Sequence, residues 1–590
     1  MTDRAAIRKL EITRFRGIEK LEWRPSEGMN IILGGGDVGK STVLESVALL
    51  LSPTNSAVIS ESDYWRRVTA DEFSIEAVLA LRDDTEINTQ KGLNWPWHWD
   101  GRDAVLPPQA GDGDDVPTAG DPVYRVRVRG TDELELVWEI IQPHDQTEHF
   151  PVSVRRRIGL VRLAAEDRND RDLRLVYGSA LDRLFADTTL RARITRQVAG
   201  LDLNESVGEQ SGEKLGELDK RLVAAALPGG LGLGLTTTQG LSIGALIGLL
   251  AEKDGTTLPL SSWGAGTRRM AALEIASASR LDGGIVTIDE LERGLEPYRL
   301  RKLVRSIIGD AGQSFVTTHS PVAIACADDA ALWYLDTSCR IGALPRNKIA
   351  AQQQRDPETF LARVAVIGEG PTEAGFLRYL LEKAFAADPL DYGVRVCDGQ
   401  GNDAVLGLLE TLAATGLRFA GLVDDEGRAP GRWATLKGNL GDRLLQWQNG
   451  CTEQVVIDAI PDGRLADLIR DESGDLPGAR LRTLSVRLGI ADRELEAIEA
   501  AALEKGTTLK ALVIAAASGN ADEVAEEDKA TRKEWKAHGK IWFKSGDGGR
   551  ELAVKMVALG AWPAIRPRIL PLLNAILLAA ERPAIGTLGL

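Results

Sequence analysis

The chain is 590 residues long, 44% hydrophobic and 27% charged, with a net charge of -15 and a sequence pI of about 5.1. That length exceeds a single core and sets an expectation of about two to four folding units, while the composition excludes a disordered or fibrous chain. The acidic total excludes a whole-molecule attraction to nucleic acid, so DNA contacts have to come from local basic strips, for which Val154–Ile158 and Arg191–Arg196 are the candidates.

Residues Ile7–Phe15, Leu21–Trp23 and Met29–Leu33 alternate like strands, with a turn at Arg16-Gly17. Met1–Gly17 has no signal-peptide core. The third strand runs into Gly34-Gly35-Gly36-Asp37-Val38-Gly39-Lys40-Ser41-Thr42 and then a helical run, which fits G-x-x-x-x-G-K-[ST] in its required strand–loop–helix setting. Small residues let backbone N–H groups converge on a triphosphate. Lys40 can then reach the β- and γ-phosphates, and the Ser41 hydroxyl can hold Mg²⁺. The Phe15-Arg16-Gly17 turn ahead of this loop resembles the entry to SMC/RecF-type ABC ATPases.

Farther along, Phe73–Leu81 and Asp132–Ile141 favour strands, and Asn88–Asp121, rich in Gly, Pro, Asp and Trp, reads as an irregular insertion. Leu173–Val223 carries charged helical spacing and reads as a helical arm. The uncharged stretch Val223–Ala251 has the length of a membrane span, but seven glycines argue for a glycine-rich turn followed by buried strand or helix. Leu241–Leu260 returns to strand and helix character.

Three clusters complete the nucleotide site. Ile285–Glu290 is an apolar strand ending in Asp289, suited to hold Mg²⁺ through water, and Glu290, suited to polarise the attacking water. Phe315–Pro321 puts His319 just past another apolar strand. Ser262, Gly264 and Gly266, ahead of a helix, resemble a variant of the ABC signature loop, departing from Leu-Ser-Gly-Gly-Gln. The ABC resemblance implies that His319 contacts the γ-phosphate. It also implies that Ser262, Gly264 and Gly266 bind the nucleotide of a second protomer, hence a homodimer.

After a polar stretch, Asp336–Pro357, a second α/β unit opens with Val364–Glu373, a strand leading to Glu369 and then a helix start with Glu373. A carboxylate fixed at a strand end can bind a divalent ion or exchange a proton. Phe419–Gly427 supplies a second strand ending in Asp424-Asp425-Glu426. These segments resemble Toprim domains, where Asp-x-Asp is usual. Glu426 stands in the second place here, and whether Asp425 or Glu426 ligates is left open. Glu453 resembles the extra acidic ligand of OLD (overcoming lysogenization defect) nucleases. Lys544, read as following a strand at Ile541–Phe543, resembles their late lysine, suited to stabilise charge on the scissile phosphate.

The order ABC-type ATPase then Toprim resembles the OLD family of ATP-dependent nucleases. The resulting expectation is an α/β chain with an SMC-like P-loop ATPase carrying a helical insertion (1–165, 166–225 and 226–345). A linker follows at 346–362, then a Toprim nuclease domain at 363–590 with a helical excursion at about 462–534. The resemblance implies ATP, and Mg²⁺ or Mn²⁺ at both sites, with Ser41 and Asp289 as metal ligands in the first. It implies Glu369, Glu373, Asp424, Glu426 and Glu453 as the metal ligands in the second, with the choice between Asp425 and Glu426 open. It implies DNA as substrate, a role in phage defence or DNA processing, and a helicase-like partner. Four scattered cysteines without metal or disulfide spacing fit the reduced cytoplasm. The alternative is an SMC/RecF-like DNA-binding ATPase whose Toprim domain does not cleave. A primase or topoisomerase finds no zinc ribbon or assignable catalytic tyrosine, Tyr379 and Tyr392 included.

Overall fold

The computed structural model describes residues 4–55, 57–82, 85, 87, 94–106, 121–143, 146–163, 171–176, 179–185, 190, 193, 207–235, 247–278, 284–309, 312–448, 450–471 and 474–588. The described chain forms two compact units, Met1–Ala343 and Leu344–Leu590.

In the first unit the strands are, in chain order, β1 (Ala6–Phe15), β2 (Ile18–Trp23), β3 (Met29–Leu33), β4 (Phe73–Ala80), β5 (Trp97–Trp99), β6 (Ala104–Val105), β7 (Asp121–Gly130), β8 (Leu136–Ile141) and β9 (Thr147–His149). They continue with β10 (Val161–Leu163), β11 (Gly229–Leu235), β12 (Ile247–Lys253), β13 (Thr256–Pro259), β14 (Val286–Ile288), β15 (Ser314–Thr317), β16 (Ala331–Leu335) and β17 (Ile341–Leu344). An antiparallel sheet of order β2-β1-β4-β7-β5-β6, with β8 and β9 joined at β7, covers one side of the core. A second sheet has the order β10-β14-β15-β3-β16-β17, and β14, β15 and β16 run parallel to their neighbours about β3. All five residues of β3 are buried, as a central parallel strand requires. Asn30 within it is satisfied by Ser26 and by the Trp333 indole at 3.0 Å.

Several expectations change. The Asn88–Asp121 insertion is not wholly irregular: Trp97–Trp99 forms a strand paired with Ala104–Val105 and β7. Strand β7 lies outside the segments expected as strands, although its buried Val126 and Val128 alternate with Arg125, Arg127 and Arg129 as a half-buried strand requires. Arg125, Arg127 and Arg129 each meet a carboxylate across the strands, Glu76, Glu139 and Glu72, at 2.6 to 2.8 Å. The expected basic strip Val154–Ile158 is not a free face. Arg155 is fully buried over the Trp138 ring and donates to Ser52 O at 2.5 Å, and Arg156 donates to Pro53 O, so the run pins the loop after the phosphate-loop helix. The strip Arg191–Arg196 lies outside the described residues except for Arg193, and much of the helical arm does too. What is described of the arm includes helices Ala180–Phe185 and Glu209–Ala224. The glycine-rich stretch forms β11, paired with β12.

The second unit is built on a parallel sheet of β18 (Val364–Gly368), β19 (Val394–Asp398), β20 (Phe419–Val423) and β21 (Leu444–Gln446), in the order β19-β18-β20-β21. β18 and β20 are buried throughout, and helices Pro371–Phe385 and Asn402–Thr415 connect the first three strands. Residues 346–362, expected as a linker, instead carry helix Arg346–Arg355 and turn Pro357–Phe360. Gln352 donates to Thr359 at 2.7 Å, Thr359 donates to Cys397 Sγ at 3.1 Å, and Ile349 and Phe360 are buried. The polar surface of that helix is what made it read as a linker. The described residues of the excursion form five α-helices between Leu465 and His538, whose Leu484, Leu488 and Val513 join Phe376, Leu377 and Leu422 in one core. Among the described residues no helix is long and apolar enough to cross a membrane.

Candidate nucleotide site and carboxylate centre

The phosphate loop leaves the C-terminal end of β3. Gly34 is required there because a Cβ would lie 2.5 Å from Leu335 O on β16, and Gly39 adopts φ +99°. Lys40 is buried and curls over the loop, donating to Gly34 O at 3.1 Å and Gly35 O at 2.6 Å. Burial pushes its ammonium below the usual range, opposed by the charges of Asp289, Asp37, Glu290 and Glu292.

Asp289 and Glu290 leave the neighbouring strand β14, and both are held through Thr317 at the end of β15. The Thr317 hydroxyl donates to Asp289 at 2.5 Å and accepts the Glu290 N–H at 2.8 Å. Glu290 sits at φ +49°, an uncommon region for a residue with a side chain. Arg269, buried on the helix after the signature-like loop, donates to Asp289 O and Glu290 O. His319 is exposed, and its loop is fixed by Glu292, which accepts the His319 N–H at 2.7 Å and the Thr318 hydroxyl at 2.6 Å. Thr317, Arg269 and Glu292 carry no motif and were not singled out from sequence. Ser41, Ser262 and Gly264 are exposed, Asp37 sits at φ +56°, and Gly266 is buried so close to Gly294 O that a Cβ there would strike it.

In the second unit, Glu369 follows β18 and Asp424 follows β20, adjacent parallel strands. The Glu369 carboxylate accepts the Asp424 N–H at 2.9 Å and the Asn402 amide at 3.4 Å. Asn402 is itself held by the Trp433 indole at 3.3 Å. Glu373, in the first turn of its helix, accepts the Gly370 N–H at 3.0 Å, so it caps the helix as well as facing the centre. Glu453, in the first turn of helix Thr452–Ala459, accepts from the Thr372 hydroxyl at 3.2 Å. Asp424 accepts the Thr452 N–H at 3.0 Å. Ligand atoms of Asp424, Glu453 and Cys451 lie within 4.8 Å of one another.

Among the described residues no Lys or Arg pairs with Glu369, Glu373, Asp424 or Glu453. Burial, then the neighbouring Glu453, pushes the Glu373 carboxyl up. Burial, then Glu373 and Glu453, pushes Asp424 up. Burial raises Glu369 too, with the Glu426 charge adding to it and the Asp424 N–H opposing. Burial and the same acids raise the Cys451 thiol, which keeps it a poor anionic ligand. The donor set fits a hard divalent cation: buried carboxylate oxygens, mutually repelling, with the nearest positive charge on Arg428, which pairs with Glu426 at 3.4 Å. Of the two candidates beyond Asp424, both exposed, Glu426 pairs with Arg428 at 3.4 Å and Asp425 accepts the Gly427 N–H at 3.2 Å.

Lys544 does not follow a strand. Trp542 and Phe543 are buried by helices, and the segment is a turn between helices Lys529–His538 and Gly546–Ala558. The buried aromatic pair imitated a strand end. Lys544 is exposed, and its N–H donates to Gly539 O at 3.0 Å. Phe543 O accepts from Thr372 at 3.1 Å, the same hydroxyl that faces Glu453, so the Lys544 turn is joined to the carboxylate centre. Helix Gly546–Ala558 packs closely on helix Pro371–Phe385. Methyl groups at Gly549 or Gly375 would strike Thr372 O or Gly546 O.

A family model described as "AAA domain, putative AbiEii toxin, Type IV TA system" matches residues 29–325, half of the chain. A second, "Overcoming lysogenization defect protein-like, TOPRIM domain", matches residues 360–425. No curated protein matches the chain. Similar solved structures include the SMC head bound to the C-winged helix domain of ScpA, at 14% identity and TM-score 0.38, covering 58% of this chain and 99% of that one. Another is the Smc head with an extended coiled coil bound to the C-terminal domain of ScpA derived from Pyrococcus furiosus, at 13%, 0.37, 59% and 98%. The recombination mediator protein RecF matches at 12%, 0.34, 58% and 99%. None of these matches points to a helicase-like partner. With a P-loop ATPase unit followed by an OLD-like Toprim unit, each matched by its own model, the chain belongs to the OLD family of ATPase–Toprim proteins.

Proposed function

We propose that the chain is an ATP-regulated, metal-dependent DNA endonuclease that nicks or cleaves DNA in phage defence or DNA processing. The observation that carries this reading is the convergence of Glu369 and Asp424, at strand ends of the Toprim sheet, with Glu373 and Glu453 on adjoining helix starts, where among the described residues no Lys or Arg forms an ion pair with any of the four. Those residues, with Glu426, would hold Mg²⁺ or Mn²⁺. Bound divalent ions supply a nucleophile at neutral pH and neutralise the leaving 3′-oxygen. Lys544 brings a positive charge to the rim for the scissile phosphate, and Asn402 orients the Glu369 carboxylate.

In the ATPase unit, residues 34–42 would cradle the triphosphate, with Ser41 and Asp289 toward Mg²⁺, Glu290 toward the attacking water and His319 toward the γ-phosphate. The exposed Ser262 and Gly264 support a nucleotide contact made across a homodimer in the cytoplasm. The test is incubation of supercoiled plasmid with the full chain under Mg²⁺ or Mn²⁺, with and without ATP. Nicked or linear product is expected. Intact plasmid under every metal would leave the alternative, a DNA-binding ATPase with a non-cleaving Toprim domain.

A further inference from the structure

A cavity of about 510 Å³ runs between helix Pro371–Phe385 and the edge strand β19, within the ~300–1,000 Å³ range of ligand clefts. Its small floor, with Pro371, Ala374 and Gly375 on one face of the helix, leaves room above the sheet edge. Two of its lining segments continue directly into the carboxylate centre. Pro371 precedes Thr372, which bonds Glu453, and Gln400 precedes Gly401, whose N–H donates to Glu369 O at 2.8 Å. Gly546 lines it from the side of the Lys544 turn. Gln400 holds φ +67°, a strained setting for a side-chain-bearing residue that is common beside functional sites.

The charges on the walls divide into two groups. Two of the four carboxylates are neutralised: Asp356 pairs with Arg395 at 2.7 Å and Glu382 with Arg550 at 2.6 Å. Asp388 accepts the Leu390 N–H at 2.9 Å, and Asp398 the Gln400 N–H at 2.8 Å. Arg355 and Arg378 are exposed and, among the described residues, have no carboxylate partner. Two uncommitted guanidinium groups in a cleft that opens beside a carboxylate centre suit the phosphodiester backbone of a nucleic-acid strand.

We infer that this cleft binds the nucleic-acid strand next to the scissile phosphate, with Arg355 and Arg378 as its phosphate ligands. The inference rests on the reading of the carboxylate centre as the place where a phosphodiester is cut. Because both arginines are exposed and unpaired, Arg355→Gln and Arg378→Gln leave the fold intact. The experiment is fluorescence anisotropy of a labelled 20-nucleotide oligo-dT with full-length chain carrying Glu369→Gln, in Mg²⁺, across a salt series.

Each arginine substitution is expected to weaken binding on the order of fivefold to tenfold. Each is also expected to lower the magnitude of the log–log salt slope by about 0.7, and the double variant by twice that. Unchanged affinity and slope in the double variant, with an unchanged melting curve, would overturn the cleft. Plasmid cutting by the unsubstituted chain is scored separately. Loss of oligonucleotide affinity together with an intact plasmid keeps the cleft and discards the nuclease, and the converse pair discards the cleft alone.

Discussion

The Asp424 backbone N–H donates to the Glu369 carboxylate at 2.9 Å, while the Asp424 carboxylate accepts the Thr452 N–H at 3.0 Å. Both acids are thus oriented by backbone N–H groups, which fixes geometry without cancelling charge. Glu369→Gln keeps the side-chain length and an acceptor for the Asp424 N–H but removes a negative charge from the centre. Plasmid nicking is expected to fall on the order of 10²-fold or more, as for other groups that act on charge in the transition state. The metal-free melting temperature should hold or rise, because a buried repulsion is relieved. Nicking at the unsubstituted rate would remove Glu369 from the site.

The same repulsion sets a pH dependence. Glu373 and Asp424 have folded pKa values above those of free carboxyls, so between the two values the folded chain holds protons that the unfolded chain has lost. Their contribution to stability is present in acid, below the ordinary carboxylate range, and is lost as pH rises through neutrality. A divalent cation replaces those protons, so it should stabilise more in base than in acid. Melting curves with EDTA and with Mg²⁺ at about pH 5.5 and about pH 8.5 check this: the Mg²⁺ gain is expected to be larger at the higher pH. A gain that shrinks with pH would argue that the cation binds elsewhere.

The candidate site residues are legible in sequence where a strand end and a charged residue adjoin, as at Asp289, Glu369 and Asp424, or where a glycine loop leads into a helix, as at Lys40, because a parallel sheet places its strand ends together. What could not be read was the support. Thr317, Arg269, Asn402 and Thr452 are ordinary residue types until the fold brings them to a partner 28, 20, 33 or 28 positions away. Lys544 shows the opposite case. Its neighbours Trp542 and Phe543 have strand character, yet the packing of helices, not a sheet, seats their turn, through Phe543 O, on the Thr372 hydroxyl beside Glu453.

That packing depends on bare backbone. Gly549→Ala drives a methyl into Thr372 O, whereas Gly546→Ala meets nothing within 4 Å. Overpacking of this kind costs about 1–3 kcal/mol. Gly549→Ala should therefore lower the denaturant midpoint and shift the Thr372 contact to Glu453, with nicking falling further than the loss of folded protein explains. Gly546→Ala should stay within about 0.5 kcal/mol. Equal behaviour of the two variants would refute the role assigned to this contact.

Control by nucleotide separates two ATPase variants. Lys40→Ala removes the cation that closes over the phosphate loop, so ATP should no longer bind. Glu290→Gln keeps the loop but loses the group suited to polarise water, so ATP should bind and persist. If occupancy of the loop governs cutting, these variants move plasmid nicking in opposite directions from the unsubstituted chain, whichever direction ATP favours. A filter-binding assay for ATP establishes occupancy, and nicking displaced in the same direction by both would sink that control.

One helix of the excursion, Gly478–Leu488, holds the Lys544 turn by residues at i, i+3 and i+7. Arg480 lies over the Trp542 and Phe543 rings and pairs with Glu551 at 2.6 Å. The Thr483 hydroxyl accepts from the Trp542 indole at 2.9 Å, and Arg487 donates to His538 Nδ1 at 3.1 Å. Thr483→Val preserves shape and leaves the buried indole N–H without an acceptor, a cost of about 1–3 kcal/mol. If the helix acts on catalysis through Lys544, Thr483→Val lowers nicking in the unsubstituted chain but adds little in a Lys544→Ala background. Mg²⁺ binding, followed by melting-temperature shift, should be unchanged, since no carboxylate moves. Full additivity of the two substitutions in nicking rate would confine Thr483 to stability alone.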